Sequence, residues 1–312
     1  MTIGIAASGP WACAGILSGL RAVEAVGRGA IGGFVSLAVL TENQKLLRAE
    51  TQDGGAQSLF DGPPSDEILQ ARWAGLISSG PNRPAPLSQF VAASPRVGLV
   101  TGHRFPHAET NDGQALNSLV LSMMQAGSHP QGAVDDVIAR HPDFDAGFLA
   151  LSVDGEIGLG NMPTVAILKD QGGLTTRCPE TSNTVATLHN AIRPHRAIAL
   201  LANEVALEEM RFRATPLETI TISAGVAIVV GDTPEIVIDD NQKALRVIHP
   251  EASDAAEKTA FGVGDHVRIT KLGKMFGWLD QEPFMVVSQG VIVTLDGETA
   301  IEASIRTDST SK

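Results

Sequence analysis

Three times along this chain a short apolar run of strand type is followed by capping residues, a stretch with apolar residues at helical spacing, and a hairpin. Ile3 to Ala7 is the first such run, and Ser8, Gly9 and Pro10 behind it are N-cap and first-turn residues, which predicts a helix start. Ile16, Leu17, Leu20, Val23 and Val26 keep the helical period until Gly27 and Gly29 stop it. Gly32 to Leu40 and Lys45 to Thr51 then read as two strands joined at Glu42-Asn43-Gln44.

The order returns with a strand at Val97 to Val100, a polar loop from Thr101 to Asp112, a helix marked by Leu116, Leu119, Val120, Met123 and Met124, and a second helix from Pro130 to Arg140. The hairpin after it is signalled by Asp154-Gly155, a type I′ turn pair between two apolar runs. A third copy runs from Val185 to Leu188 through a helix carrying Ile198, Leu201, Val205 and Met210 to strands at Thr221 to Val230 and Glu235 to Ile238. The expectation is an α/β fold: three β-α-β-β units, at about 2–55, 96–162 and 183–240, in a pseudo-repeated core over 1–240. Between the first two copies, Pro63 to Ile77 predicts a capped helix and Ser78 to Pro86 a stiff Pro-rich loop, a lid or a connector. Glu251 to Lys258 is polar, 257–306 alternates as a small all-β appendage with turns at Gly264-Asp265 and Asp296-Gly297, and Thr307 to Lys312 reads as a frayed tail.

Charge narrows the partners. Lys+Arg 23 against Asp+Glu 35 gives a net charge of -12, which repels nucleic acid and anionic membranes alike. No apolar stretch reaches the ~20 residues of a membrane span, and Cys13 and Cys178 are too few and too far apart for a disulfide framework, so a cytoplasmic setting is expected. The expected partner is a small molecule, anionic or amide-bearing; a homo-oligomer is compatible with this reading.

Polar residues gather where each first strand meets its helix: Ser8, then Thr101, His103, Arg104, His107 and Glu109, then His189, Asn190, Arg193 and His195. If these corners converge, helix N-termini offer backbone N–H groups to an anionic or carbonyl oxygen, Arg104 and Arg193 can fork a carboxylate, and His103 or His189 can act as general base. Capping explains such residues equally well at any single position. His103, His107 and Glu109 are metal-ligand types, but Pro106 keeps the two histidines off one helical face and the spacing fits no zinc motif, so neither metal nor other cofactor is expected.

Two stretches resemble amino-terminal-nucleophile hydrolases of the isoaspartyl peptidase and glycosylasparaginase type. Ala133-Val134-Asp135 and Pro142-Asp143-Phe144-Asp145-Ala146-Gly147 leading to Val153-Asp154-Gly155-Glu156-Ile157 are similar to that family's early helix and hairpin. The chain opens Met1-Thr2-Ile3-Gly4, and the family's catalytic Thr is followed by Val or Ile and then Gly; the resemblance implies Thr2 as a nucleophile whose own amine, freed by loss of Met1, is the base. In the family the Thr-led segment follows the helix and hairpin, whereas here it precedes them. The threefold order is also similar to that of ring-opening amidohydrolases of cyanuric and barbituric acids, whose Ser-Lys pairs are absent here. The reading is a hydrolase of a C–N bond in a small amide or cyclic amide with an anion-holding pocket; the alternatives are a non-catalytic ligand-binding or structural protein and a metal-dependent lyase or isomerase.

Overall fold

The first strand, β1 (Thr2–Ser8), is buried along its whole length, and the first of two bodies is arranged around it. The structure is a computed structural model describing residues 1–179, 181–215, 217–250, 252, 258–264 and 267–307. It divides into Met1–Ala214 and Thr215–Lys312.

In the first body β1 leads into α1 (Ala12–Val26), β2 (Val35–Leu40), β3 (Leu46–Thr51), a single turn α2 (Asp66–Leu69), β4 (Trp73–Ser79), β5 (Ala92–Ser94) and β6 (Gly98–Arg104). There follow α3 (Leu116–Gln125), α4 (Pro130–Arg140), β7 (Ala146–Ser152), β8 (Ile157–Asn161), α5 (Pro163–Ala166), β9 (Gln171–Arg177), β10 (Thr184–Asn190) and α6 (His195–Ala214). The strands make a six-stranded sheet, β3-β2-β4-β1-β10-β9, and a four-stranded one, β5-β6-β7-β8. All their pairings are antiparallel.

Alternation along β1 builds the layers. Ile3, Ile5 and Ala7 pack with Cys13, Ile16, Leu17 and Leu20 of α1 and Ile198, Ala202 and Met210 of α6. On its other face Ala6 meets Leu99, Leu149 and Leu151 of the second sheet. That sheet's far side carries Val100, Phe148 and Ala150, which pack on Val120 of α3 and Val134 and Val137 of α4. The result is helix, sheet, sheet, helix, with each buried aliphatic side chain contributing about 1.5–3 kcal/mol. The sheets approach most closely where small residues meet: a Cβ on Gly4 would lie 2.4 Å from the Gly102 carbonyl oxygen.

The second body is one ten-stranded sheet. Its strands are β11 (Leu217–Ser223), β12 (Ala227–Val230), β13 (Glu235–Ile238), β14 (Ala244–His249), β15 (Thr259–Gly262), β16 (Arg268–Lys271), β17 (Lys274–Leu279), β18 (Phe284–Ser288), β19 (Val291–Leu295) and β20 (Ala300–Thr307). The pairs β12–β14 and β13–β16 are parallel. The sheet curls around Ile220, Ile222, Ile236, Val247, Ile269, Met285, Ile292 and Ile305.

Mixed α/β character, the α1, α3, α4 and α6 helices and the Asp154-Gly155 hairpin agree with the sequence reading. Four expectations need correction. The helix over Pro63 to Ile77 shrinks to α2, and Trp73–Ser79 is instead β4, buried on both faces and so without the alternation that marks a half-exposed strand. β9, unforeseen, runs through Gly172 and Gly173. Thr101–Arg104 and His189–Asn190, read as loop, close the strands β6 and β10. The third unit is divided, with β10 and α6 in the first body and the 217–238 strands in the second, so the core ends at Ala214 and not at 240. The first two segments also differ, since β4 separates β1 from β2 whereas β6 and β7 are neighbours. The polar stretch at 251–258, the Gly264-Asp265 turn and the tail beyond Thr307 lie largely outside the described residues.

Gly4→Ala must push the two sheets apart, and an expected loss of about 1–3 kcal/mol would show in urea unfolding. Gly62→Ala, with nothing within 4 Å of its Cβ, stays within about 0.5 kcal/mol. Burial pushes the fully buried His189 down to about 4, so the folded chain takes up this proton later than the unfolded one. The stability that this deferral represents is present above the unfolded value near 6.5 and is lost as pH falls from there toward about 4. Unfolding midpoints across that window should fall with pH, and His189→Leu should flatten the slope.

Candidate functional site

Antiparallel register sets Ser79, Thr2, Asn190 and Gln171 side by side across the end of the six-stranded sheet. Directly opposed residues share a face. Because Ile3 points to the helices, this row points toward the four-stranded sheet. The sheets part there around a cavity of about 310 Å³.

One wall is polar. The Thr2 hydroxyl makes no hydrogen bond among the described residues and faces the cavity. Arg83 donates from Nε to Ser79 Oγ at 2.7 Å, and Gln52 holds its backbone from both sides, accepting its N–H at 2.9 Å and donating to its carbonyl at 2.8 Å. No carboxylate pairs with Arg83 among the described residues. Arg104, in the left-handed backbone region at φ 62, directs its guanidinium onto Asp145. The opposite wall is aromatic: Phe34 and Phe90 lie 4.7 Å apart by ring centroid, His107 sits 4.1 Å from Phe90, and Phe105 closes the rim. Burial lowers the His107 pKa, and its Nδ1 has no partner.

Behind this row lies His103, fully buried between the sheets, with Nδ1 3.2 Å from Asn190 Oδ1 and Nε2 2.6 Å from Asn161 Oδ1. Burial lowers its pKa against the pull of both amides, so the ring is neutral near pH 7. A neutral imidazole has one N–H and one lone pair, hence one amide must meet it through oxygen and the other through NH₂. Burial, then Arg83 and Arg104, lower the pKa of the chain's terminal amine against the opposing pull of Asp170 and Asp145.

Of the residues expected at a site, Thr2, Arg104, His107 and Asn190 line this cavity, and His103 is one contact behind it. The others are elsewhere. Ser8 is at the opposite end of β1, because strands that run antiparallel place their C-terminal ends at opposite edges of the sheet. Thr101 donates to the Leu76 carbonyl at 2.9 Å within the interior. His189, next to Ile3, faces the helices, where Nε2 meets the His195 carbonyl at 3.1 Å. His195 turns Nδ1 onto the Ile192 carbonyl at 2.7 Å, and Arg193 and Glu109 are exposed. A fork by Arg104 with Arg193 and a base role for His189 at this cavity are therefore ruled out by position. Ser79, Arg83, Asp145 and Asn161 escaped notice as site residues; the Pro-rich loop around Arg83 was the available signal.

No group of three or more His, Cys, Asp or Glu side chains among the described residues is arranged to hold a metal ion. His103, His107 and Glu109 do not converge: the first is held by amides, the second lies on Phe90 and the third is exposed. Among the described residues no helix is long and apolar enough to cross a membrane.

No curated protein matches the chain. A second family, described as Domain of unknown function (DUF7259), matches residues 225–300, within the second body. Residues 2–219, which span the whole sandwich and its cavity, match the model of another, and the chain accordingly belongs to the family described as Domain of unknown function (DUF6963).

Proposed function

We propose that the first body is an amide hydrolase of the amino-terminal-nucleophile kind, with Thr2 as nucleophile. The observation that carries this reading is the row Ser79–Thr2–Asn190: a threonine hydroxyl without a hydrogen bond, on the floor of a cavity, beside a carboxamide whose NH₂ is also uncommitted. Cleavage before Thr2, whether it removes Met1 alone or a longer segment, frees an amine next to that hydroxyl. The amine takes the Oγ1 proton, Oγ1 attacks the substrate carbonyl, and the C–N bond breaks as the amine returns the proton to the leaving nitrogen. Water then hydrolyses the ester by the same route. Burial, Arg83 and Arg104 lower the pKa of the terminal amine as it stands, and the same surroundings favour a neutral, proton-accepting amine on Thr2.

Asn190 would stabilise the oxyanion. This requires its NH₂ to face the cavity, which follows if His103 donates Nδ1–H to Asn190 Oδ1 and accepts at Nε2 from the Asn161 amide. His103 is then a positioning residue and not the base. Arg83, held from Ser79 and Gln52 and without a carboxylate partner, suits an anionic group on the substrate, and the Phe34–Phe90 wall an apolar portion.

One contact favours a second reading, a ligand-binding protein without turnover: Met1 Sδ accepts the Ala30 N–H at 2.9 Å, tying down the residue whose loss the mechanism needs. Intact-mass spectrometry separates the two. The hydrolase reading expects chains beginning at Thr2 and a covalent adduct on Thr2 with a β-lactone probe, absent in Thr2→Ala. An adduct on chains that keep Met1 would sink it. Labelling should slow as pH falls and the freed Thr2 amine becomes protonated, because only the neutral amine accepts the proton. Asn190→Ala should slow labelling about 10²- to 10³-fold. His103→Leu should slow it by itself but add little in the Asn190→Ala background; fully additive effects would remove the positioning role.

A further inference from the structure

At the end of β1 remote from Thr2 the two sheets part again. Register places Trp73, Ser8, Thr184 and Arg177 in one row across the six-stranded sheet, on the same face as Thr2. The turn between β7 and β8 stands opposite, close enough for the Ser8 hydroxyl to reach the Gly155 carbonyl at 3.5 Å. Between them is a cavity of about 350 Å³.

Arg177 has no ion-pair partner among the described residues. Arg72 reaches Glu42 at 3.1 Å through an exposed pair and lies 6.0 Å over the Trp73 ring. Asn183 is 2% exposed, yet its carboxamide makes no hydrogen bond among the described residues: Oδ1 is shut against Gly9, which leaves the NH₂ as the end open to the cavity. The acidic lining residues, Asp154 and Glu156, are exposed at the mouth, and Glu156 faces His129 at 3.5 Å. The lining carries two arginines, Arg72 and Arg177, against two carboxylates, Asp154 and Glu156, and register sets Arg177 opposite Thr184, beside the buried amide of Asn183.

We propose that this cavity is a second ligand site, separate from the one at Thr2, for a small organic anion bearing a phosphate or carboxylate. Arg177 forks the oxyanion, the Asn183 amide donates to it, and the body of the ligand lies along Trp73. The six-residue span of β1 puts it about 20 Å from Thr2, too far for one small molecule to fill both.

Isothermal titration of the full chain with inorganic phosphate and, separately, with succinate at fixed ionic strength tests this. The expected result is saturable binding of at least one of them, with a phase about tenfold or more weaker in Arg177→Gln and unchanged in the control Lys274→Gln. Binding of phosphate alone identifies a phosphate ligand, and of succinate alone a carboxylate. Arg177 is an exposed edge-strand residue, so its replacement leaves the fold intact, which thermal unfolding confirms. No saturable binding of either anion, equal affinity in Arg177→Gln, or an equal loss in Lys274→Gln would overturn the proposal.

Discussion

A strand without charge on either face must be covered on both, and its peptide groups must be paired on both edges. β1 meets this demand through β4 and β10 at its edges, two helices over Ile3, Ile5 and Ala7, and a second sheet over Gly4 and Ala6. The small residues are as necessary as the large ones. Gly4 and Gly102 let two backbones approach, and the leucines of β6 and β7 fill the space beside them. Covering weakens where the second sheet turns away, at the two ends of the strand, and there the polar residues Thr2 and Ser8 replace the apolar ones.

Polar side chains inside the sandwich are expensive unless they satisfy one another. His103 with Asn161 and Asn190 is such a group, as is Asn203, whose amide bridges Leu174, Thr176 and Val185 while accepting from Thr187. The first group reaches a cavity and the second does not. A buried histidine that links an inner amide to a cavity-lining one gives the cavity a donor whose direction is decided by a tautomer, not by solvent.

The helices were legible because one face of each is apolar at a period of 3.6, as Leu116, Val120 and Met124 show in α3. β4 was not, since Ala74–Ser79 is buried on both sides and carries no period. His103, His189 and Asn190 looked like loop residues because polar side chains in the middle of a sandwich are uncommon, and only long-range pairing shows that they end strands. Half of the expected site dispersed for a related reason. Convergence of strand-to-helix corners requires parallel strands, and β1 and β10 are antiparallel, so Asn190 joins Thr2 while Ser8 is left at the far end. Arg83 and Asn161 belong to no motif, and their place follows from the fold alone.

The bonds that Gln52 makes to both sides of the Arg83 peptide anchor the 80–86 segment to the end of β3, while Ser79 steadies the guanidinium. That arrangement separates two design tasks. The sheets set the register of Thr2 and Asn190, and a short tethered arm sets where the Arg83 guanidinium stands. Lengthening or recolouring that arm moves or removes the guanidinium while the strands that carry Thr2 and Asn190 keep their register, so the charge at the cavity can change without a change in the sandwich.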